Sequence, residues 1–230
     1  MNIAIIPARG GSKRIPRKNV REFCGKPMIA WPIKAALASG LFDHVVVSTD
    51  DAEIAEVARA AGAEVPFRRP AELSDDHTGT TDVVIHALEW AQNAGWSVDA
   101  ACCIYATAAF VSPDDLAEAR ALLSADCDFA FPALRYGHPP QRGFTSGANG
   151  NPELLQPEHR STRTQDLPAV FHDSGQFYWG QRAAWLERRP IFGERSRFIE
   201  VPPARAWDID RPEDWELAER LFSARLDQAR

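Results

Sequence analysis

A chain of 230 residues, 45% hydrophobic and 25% charged, has the make-up of an ordinary soluble globule with enough length for a real core. Its formal net charge of −6 argues against general nucleic-acid binding, which calls for a basic face. No run nears the roughly 18 apolar residues of a membrane span, and Met1-Asn2 lacks a charged leader start. The four cysteines show no C-x-x-C spacing and read as reduced thiols. One cytoplasmic domain over 1–230 is expected, with no membrane or nucleic-acid partner.

In chain order, Ile3–Pro7 reads as a buried strand, and Met28–Ser39 as a helix with Gly40 just past its end. HVVVST, 44–49, is a second β-branched strand. Asp51–Ala61 has helical periodicity and stops at Gly62. Glu64–Phe67 reads as a short strand, Thr81–Ala94 as a helix and Ala101–Tyr105 as a strand. Pro113–Leu123 is a helix with Ser112 as N-cap and two acids in its first turn. Phe129–Pro132 is another strand. From Ala133 to Pro168 the rhythm breaks, and Gly, Pro, Asn, Gln and Arg dominate. A long structureless loop is unusual in a compact domain, so this stretch is expected to be a β-ribbon that leaves the body. Strands resume at Gly175–Gly180 and Phe198–Val201, and Pro212–Arg225 closes the chain as an amphipathic helix. Strands alternating with helices imply an α/β fold, a mostly parallel sheet with helices on both faces. Ligands bind such sheets beyond the carboxyl ends of the strands.

The first strand feeds such an edge, and there the sequence reads ARGGSKRIPRKN, with Arg9, Lys13, Arg14, Arg17 and Lys18 crowded around Gly10 and Gly11. The run supplies neither G-x-x-x-x-G-K-[ST] nor G-x-G-x-x-G. It is either a solvated basic turn or an anion grip. Adjacent glycines let backbone N–H groups approach an anion, and Arg9 and Lys18 could neutralise a polyphosphate.

The other informative stretch is AWDIDRPEDW, 206–215. In extended chain Asp208 and Asp210 point to one side, where two carboxylates suit a hard cation such as Mg²⁺. The competing reading makes Asp210 an N-cap with Glu213 at N3, a capping box.

ARGGSKRIPRKN, followed by KPMIAW, VVVSTDDAEIAEVA, RRPAELSDD and the late DID-x-P-x-D-W, resembles the CMP–acidic-sugar synthetases, cytidylyltransferases that activate ulosonic acids. The likeness runs from residue 3 to about 220. CCIYATAAF and FHDSGQFYW are most similar to the branch acting on pseudaminic acid. The resemblance implies a Rossmann-like fold, a homodimer joined through 133–168, and transfer of CMP from CTP to an acidic nine-carbon sugar with release of pyrophosphate. It matches Ala8, Arg9, Gly10, Gly11, Ser12, Lys18 and Asn19 to the phosphate loop, and Arg69, Thr78 and Thr80 to cytidine contacts. Asp208 and Asp210 match the Mg²⁺ ligands, so Arg9, Lys18, Asp208 and Asp210 would carry the catalysis. Tyr105, Thr107, Gln141, His172, Gln176 and Phe177 fall where the family contacts its sugar, and Arg163 falls in the arm that reaches the partner's site. Where the family often has P-T-x-P, this chain has Ala106-Thr107-Ala108-Ala109. Where sialic acid synthetases tend to carry arginine it has His172, a weaker carboxylate partner than a guanidinium fork. The competing acceptors are legionaminic acid, a sialic acid, 3-deoxy-octulosonic acid and, more distantly, a phosphorylated sugar. The non-enzymatic reading is a nucleotide sensor.

Overall fold

The computed structural model describes residues 1–75 and 78–228. Asp76, in the RRPAELSDD motif, and His77 lie outside the described residues. Eleven strands and six α-helices follow in order. The first part holds β1 (Asn2–Pro7), β2 (Glu22–Phe23), β3 (Lys26–Pro27), α1 (Ala30–Ser39), β4 (His44–Ser48), α2 (Ala52–Ala60), α3 (Thr80–Asn93), β5 (Ala100–Ile104) and α4 (Pro113–Leu122). The second part holds β6 (Phe129–Arg135), β7 (Phe144–Ser146), β8 (Pro152–Leu154), β9 (Phe171–Asp173), β10 (Phe177–Gln181), α5 (Arg182–Leu186), β11 (Ser196–Glu200) and α6 (Pro212–Gln228).

Seven strands form one sheet in the order β11-β6-β10-β5-β1-β4, with β9 also paired to β6. β1 lies parallel to both β4 and β5, and β11 lies parallel to β6, while β9 and β10 run antiparallel to their neighbours. The sheet is thus mostly parallel, as expected. Alternation along β1 sends Ala4 and Ile6 to one face and Ile3 and Ile5 to the other, the pattern of a strand covered on both sides. The first face packs on Ile33, Ala36, Ile54, Ala58 and Leu116 of α1, α2 and α4; the second packs on Val84, Leu88 and Trp185 of α3 and α5. Local signals hold at two helix starts. Asp51 caps α2 by accepting from the N–H of Glu53 (2.9 Å) and Ile54 (3.0 Å), and Ser112 caps α4 through the Asp115 N–H at 3.2 Å.

Four expectations change. Glu64–Phe67 contributes only a parallel bridge, Val46 to Glu64, and Pro66, with no N–H, cannot donate to extend it. The sixth strand runs on to Arg135 and pairs there with β9. The stretch FHDSGQFYW is therefore one antiparallel path, interrupted at Ser174-Gly175-Gln176, where Gly175 takes φ +63°, a conformation that suits glycine. Between them, 136–170 holds the two three-residue strands β7 and β8, paired as a hairpin, and short 3₁₀ turns.

A third apolar cluster decides the site. Ile15, Phe23 and Met28 pack against Phe110 and against Ile209, Trp215, Ala218 and Phe222. Phe23 meets Trp215 edge-on at 5.3 Å and Phe222 at 5.4 Å. Burying side chains of this size contributes about 1.5–3 kcal/mol each. This cluster staples α6, and the DID segment before it, onto the basic loop.

Candidate active site

The loop leaves β1 at Pro7 and is tied down at once. Buried Ala8 donates its N–H to the Ser48 carbonyl at 2.9 Å, and Gly10 donates to Asp50 Oδ1 at 3.1 Å. A Cβ on Gly10 would sit 2.7 Å from Asp51 Oδ2, so this close approach requires glycine. A Cβ on Gly11 would meet nothing within 4 Å, so there is room above the loop. Asn19 braces the far end, donating Nδ2 to the Arg9 carbonyl at 3.0 Å and accepting from the Ile29 N–H at 2.9 Å.

Three cavities run along this edge of the sheet. One of about 380 Å³ is walled by Arg9, Ser12, Lys13, Arg14, Lys18, Tyr105 and Thr107, among others. A second, about 230 Å³, shares Pro7, Arg9 and Tyr105 with the first and adds Arg69, Asp75, Thr78 and Thr80. The third, about 440 Å³, is lined by His172, Asp173, Ser174, Trp207, Asp208 and Asp214, with Leu134 and Ala206 as apolar wall.

In the second cavity Arg69 is 5% exposed. Its backbone N–H binds the Thr49 carbonyl at 2.8 Å and its Nη2 lies 3.8 Å from Asp50 Oδ1. Nε and Nη2 are buried without a hydrogen bond, and burial pulls the guanidinium below its ordinary value. Two unspent buried donors suit a polar ring set against them. Thr78 Oγ1 donates to Asp75 Oδ1 at 2.7 Å, and Thr80 Oγ1 lies 3.4 Å from the Tyr105 hydroxyl. Arg9 reaches the Asp75 carbonyl through Nη1 at 2.7 Å.

The DID segment packs against the basic loop. Ile209 is wholly buried, so its two neighbours point the other way. Lys18 Nζ donates to the Ile209 carbonyl and lies 3.8 Å from Asp210 Oδ1. Arg14 Nη1 pairs with Asp210 Oδ2 at 2.8 Å. Burial depresses the Lys18 ammonium, against the pull of Asp210 and Asp208. Asp208 is raised by burial first and by the charge of Asp210 second. Two carboxylates that repel one another form a donor set that a divalent ion relieves. Among the described residues no three acidic, imidazole or thiol groups are placed to hold one metal ion together, so an ion here would complete its shell with phosphate oxygens and water.

The capping-box reading of Asp210 needs correcting. The Asp214 carboxylate does the capping, accepting from the N–H of Arg211 at 2.8 Å and of Asp210 at 3.1 Å. With Pro212 as the first helical residue, Arg211 is the N-cap and Asp214 stands at N3. The box is shifted by one residue, and the Asp210 side chain is left to face the cations.

A cytidylyltransferase family model matches residues 3–230. The chain belongs to the cytidylyltransferase family. It is 43% identical over 229 residues to the pseudaminic acid cytidylyltransferase of Campylobacter jejuni, covering 99% of both chains. It is 31% identical to the CMP-N,N'-diacetyllegionaminic acid synthase of Legionella pneumophila, over 96% of this chain and 95% of the other. It is also 36% identical to N-acylneuraminate cytidylyltransferase A of Danio rerio, over 94% of this chain but 50% of that protein. The fold matches a CMP:2-keto-3-deoxy-manno-octonic acid synthetase solved with CTP, at TM-score 0.71 and 18% identity, over 97% and 99% of the two chains.

The sugar-contact residues inferred for this cytidylyltransferase divide. Tyr105 and Thr107 line the first cavity and His172 lines the third. Phe177 is a correction: it is 0% exposed in the core between sheet and helices, on the side of its strand turned from solvent. Gln141 is buried in the arm, its Nε2 donating to the Pro168 carbonyl at 3.0 Å, and lines none of the three cavities. Gln176 is buried and donates to the Arg205 carbonyl at 2.6 Å, bracing the segment ahead of the DID stretch. Arg163 is exposed and pairs with Asp166 at 2.7 Å. Ala106, Ala108 and Ala109 are all buried, and successive turns at Tyr105–Ala108 (2.9 Å) and Ala108–Val111 (3.2 Å) hold the segment without proline. Lys13 and Arg14 as walls of the first cavity, and Asp173 as a wall of the third, were not singled out from the sequence. For the first two, the cation cluster was the available signal.

Proposed function

We propose that this cytidylyltransferase moves CMP from CTP to the anomeric oxygen of pseudaminic acid, releasing pyrophosphate, as a Mg²⁺-dependent cytoplasmic homodimer. The reading is carried by one juxtaposition: at the carboxyl edge of the sheet the basic loop meets the DID segment, with Arg14 and Lys18 set against Asp210. The full-length relatives supply the nucleotide and the sugar class.

The cavities divide the labour. The second takes the cytidine, with the unspent Arg69 donors and the Thr78 and Thr80 hydroxyls against base and ribose. The first takes the triphosphate, and Arg9, Lys13, Arg14 and Lys18 spread its charge. Positioning and charge stabilisation dominate phosphoryl and nucleotidyl transfer. Lys18 is well placed for this, because its carbonyl and carboxylate partners fix the ammonium and little reorganisation is needed. Asp208 and Asp210 would hold Mg²⁺, which when bound supplies Lewis-acid polarisation of phosphate oxygens and a lowered pKa for a hydroxyl beside it. The third cavity takes the sugar. His172 stands on its wall as an exposed imidazole whose Nδ1–H donates to the Asp173 carbonyl, 2.9 Å away. An imidazole there favours the pseudaminic reading over an ordinary sialic acid. Residues 133–168 serve as the dimerisation arm of the single domain, with Arg163 turned to the partner's sugar.

The test is pyrophosphate release from CTP and Mg²⁺ with pseudaminic, legionaminic, sialic and 3-deoxy-octulosonic acids. Turnover should be fastest with pseudaminic acid. A faster rate with another acid reassigns the acceptor; none with any acid favours the sensor.

A further inference from the structure

The third cavity has a charge problem if its guest is an acid. Its lining carries three carboxylates, Asp173, Asp208 and Asp214, and neither lysine nor arginine. Asp214 is committed to the start of α6 and Asp208 to the DID pair. Asp173 is different. The Tyr178 hydroxyl donates to its Oδ2, and among the described residues nothing donates to Oδ1. Burial and the bond to Asp173 hold the Tyr178 phenol far above its ordinary value, so Tyr178 remains the donor and Asp173 the acceptor. Tyr178 is itself locked in the core, with Tyr105 edge-on at 5.9 Å and Phe131 at 5.8 Å. Asp173 is therefore a carboxylate held in one orientation, and an ionised carboxylate can only accept.

Two further groups beside it await partners. Ser174 is 5% exposed and its hydroxyl has no hydrogen bond, and the indole N–H of the partly buried Trp207 also has none. Both residues line the same cavity. An acceptor next to a neutral donor matches an amide, whose N–H and C=O need one of each.

We propose that Asp173 is a specificity-determining residue of the sugar site: a fixed acceptor for an N–H or O–H of the sugar, which turns the sugar's own carboxylate away towards the basic loop. This rests on the acceptor being a nonulosonic acid, as proposed above. Like charges set face to face in a partly desolvated site are strongly disfavoured, so the orientation follows from sign alone. The acylamido substituent of such a sugar fits best, with its N–H to Asp173.

Asp173→Asn is the discriminating variant. Its carbonyl can still accept from Tyr178, which leaves an NH₂ facing the sugar, so the shape is kept and the polarity inverted. The KM for the sugar should rise about tenfold or more, with the KM for CTP unchanged within about twofold. A fall in kcat at unchanged sugar KM, a parallel rise in both KM values, or no change overturns the proposal. If Asp173→Asn fails to fold in a thermal melt, Tyr178→Phe decides. It frees the carboxylate and should raise the sugar KM about threefold; an unchanged KM overturns the proposal. Wild-type protein run beside both keeps the two readings apart, since failure to turn over any nonulosonic acid rejects the function and not the role of Asp173 alone.

Discussion

Lys18 and Asp208 lie where the opposed charges of the loop and the DID segment meet. Lys18 is half-buried between the Ile209 carbonyl and Asp210. Lys18→Ala should leave the fold nearly intact and cut kcat/KM about a hundredfold or more, the scale of a lost preorganised charge donor; wild-type turnover would remove it from the phosphate site. For Asp208 the sign of the linkage is informative. Its folded pKa is raised, by burial first. Its stabilising share is thus present while it is protonated and is lost as pH rises through the folded value. At neutral pH the ionised pair costs stability, and a bound cation recovers it. Melting curves near neutral pH should therefore show a higher Tm with Mg²⁺ than with chelator. Asp208→Asn should melt above wild type in chelator and lose the Mg²⁺ gain, and a wild-type-sized gain in that variant would exclude Asp208 as a ligand. As pH falls into the carboxylate range, the Mg²⁺ needed for half-maximal rate should climb.

At the scale of elements, the start of α6 separates capping from chemistry. Asp214 caps and Asp210 faces the loop, although the two are four residues apart and both carboxylates. Asp214→Ala should cost about 1 kcal/mol of stability, read as a lower denaturation midpoint with an unchanged slope. Asp210→Asn should leave that midpoint nearly unchanged while raising the Mg²⁺ requirement. The reverse pattern would restore Asp210 as the cap. Sequence alone placed a capping box here but set its register one residue early. Asp-x-x-Glu (210–213) and Arg-x-x-Asp (211–214) both precede a proline-led helix, and local preference favours the first, since aspartate caps well and arginine does not. What overrides that preference is Arg14 and Lys18, cations nearly two hundred residues earlier, which draw the Asp210 carboxylate outwards.

For the whole molecule, the arm poses the open question of surface. Phe144 and Leu155 lie 64% and 62% exposed on or beside the β7–β8 hairpin, and two strands of three residues bury little by themselves. A second copy would cover them, and a two-fold pairing is the commonest closed solution. Light scattering should return a dimer. Mixing inactive Lys18→Ala with inactive Arg163→Ala under subunit exchange should restore up to about a quarter of wild-type activity if sites are shared. Half of randomly paired dimers are then mixed, each with one intact site. No recovery despite proven exchange would confine each site to one chain, and a monomer would remove the arm's proposed role.

Composition, periodicity and local motifs were enough for the layered α/β order, the caps at Asp51 and Ser112, the basic loop after β1 and the two aspartates that straddle Ile209. These depend on neighbours within a few residues, where steric preference and hydrogen-bonding reach are short. Tertiary structure alone decided that Lys18 meets a carbonyl 191 residues away, that Phe177 belongs to the core, that Gln141 and Gln176 brace backbone, and that Asp173 is pinned in the third cavity. The first of those outcomes follows from burial of Ile15, Phe23, Ile209, Trp215 and Phe222 in one cluster. Apolar association is non-directional, so a local sequence pattern can mark which residues will be buried but not which distant partners they will be buried against.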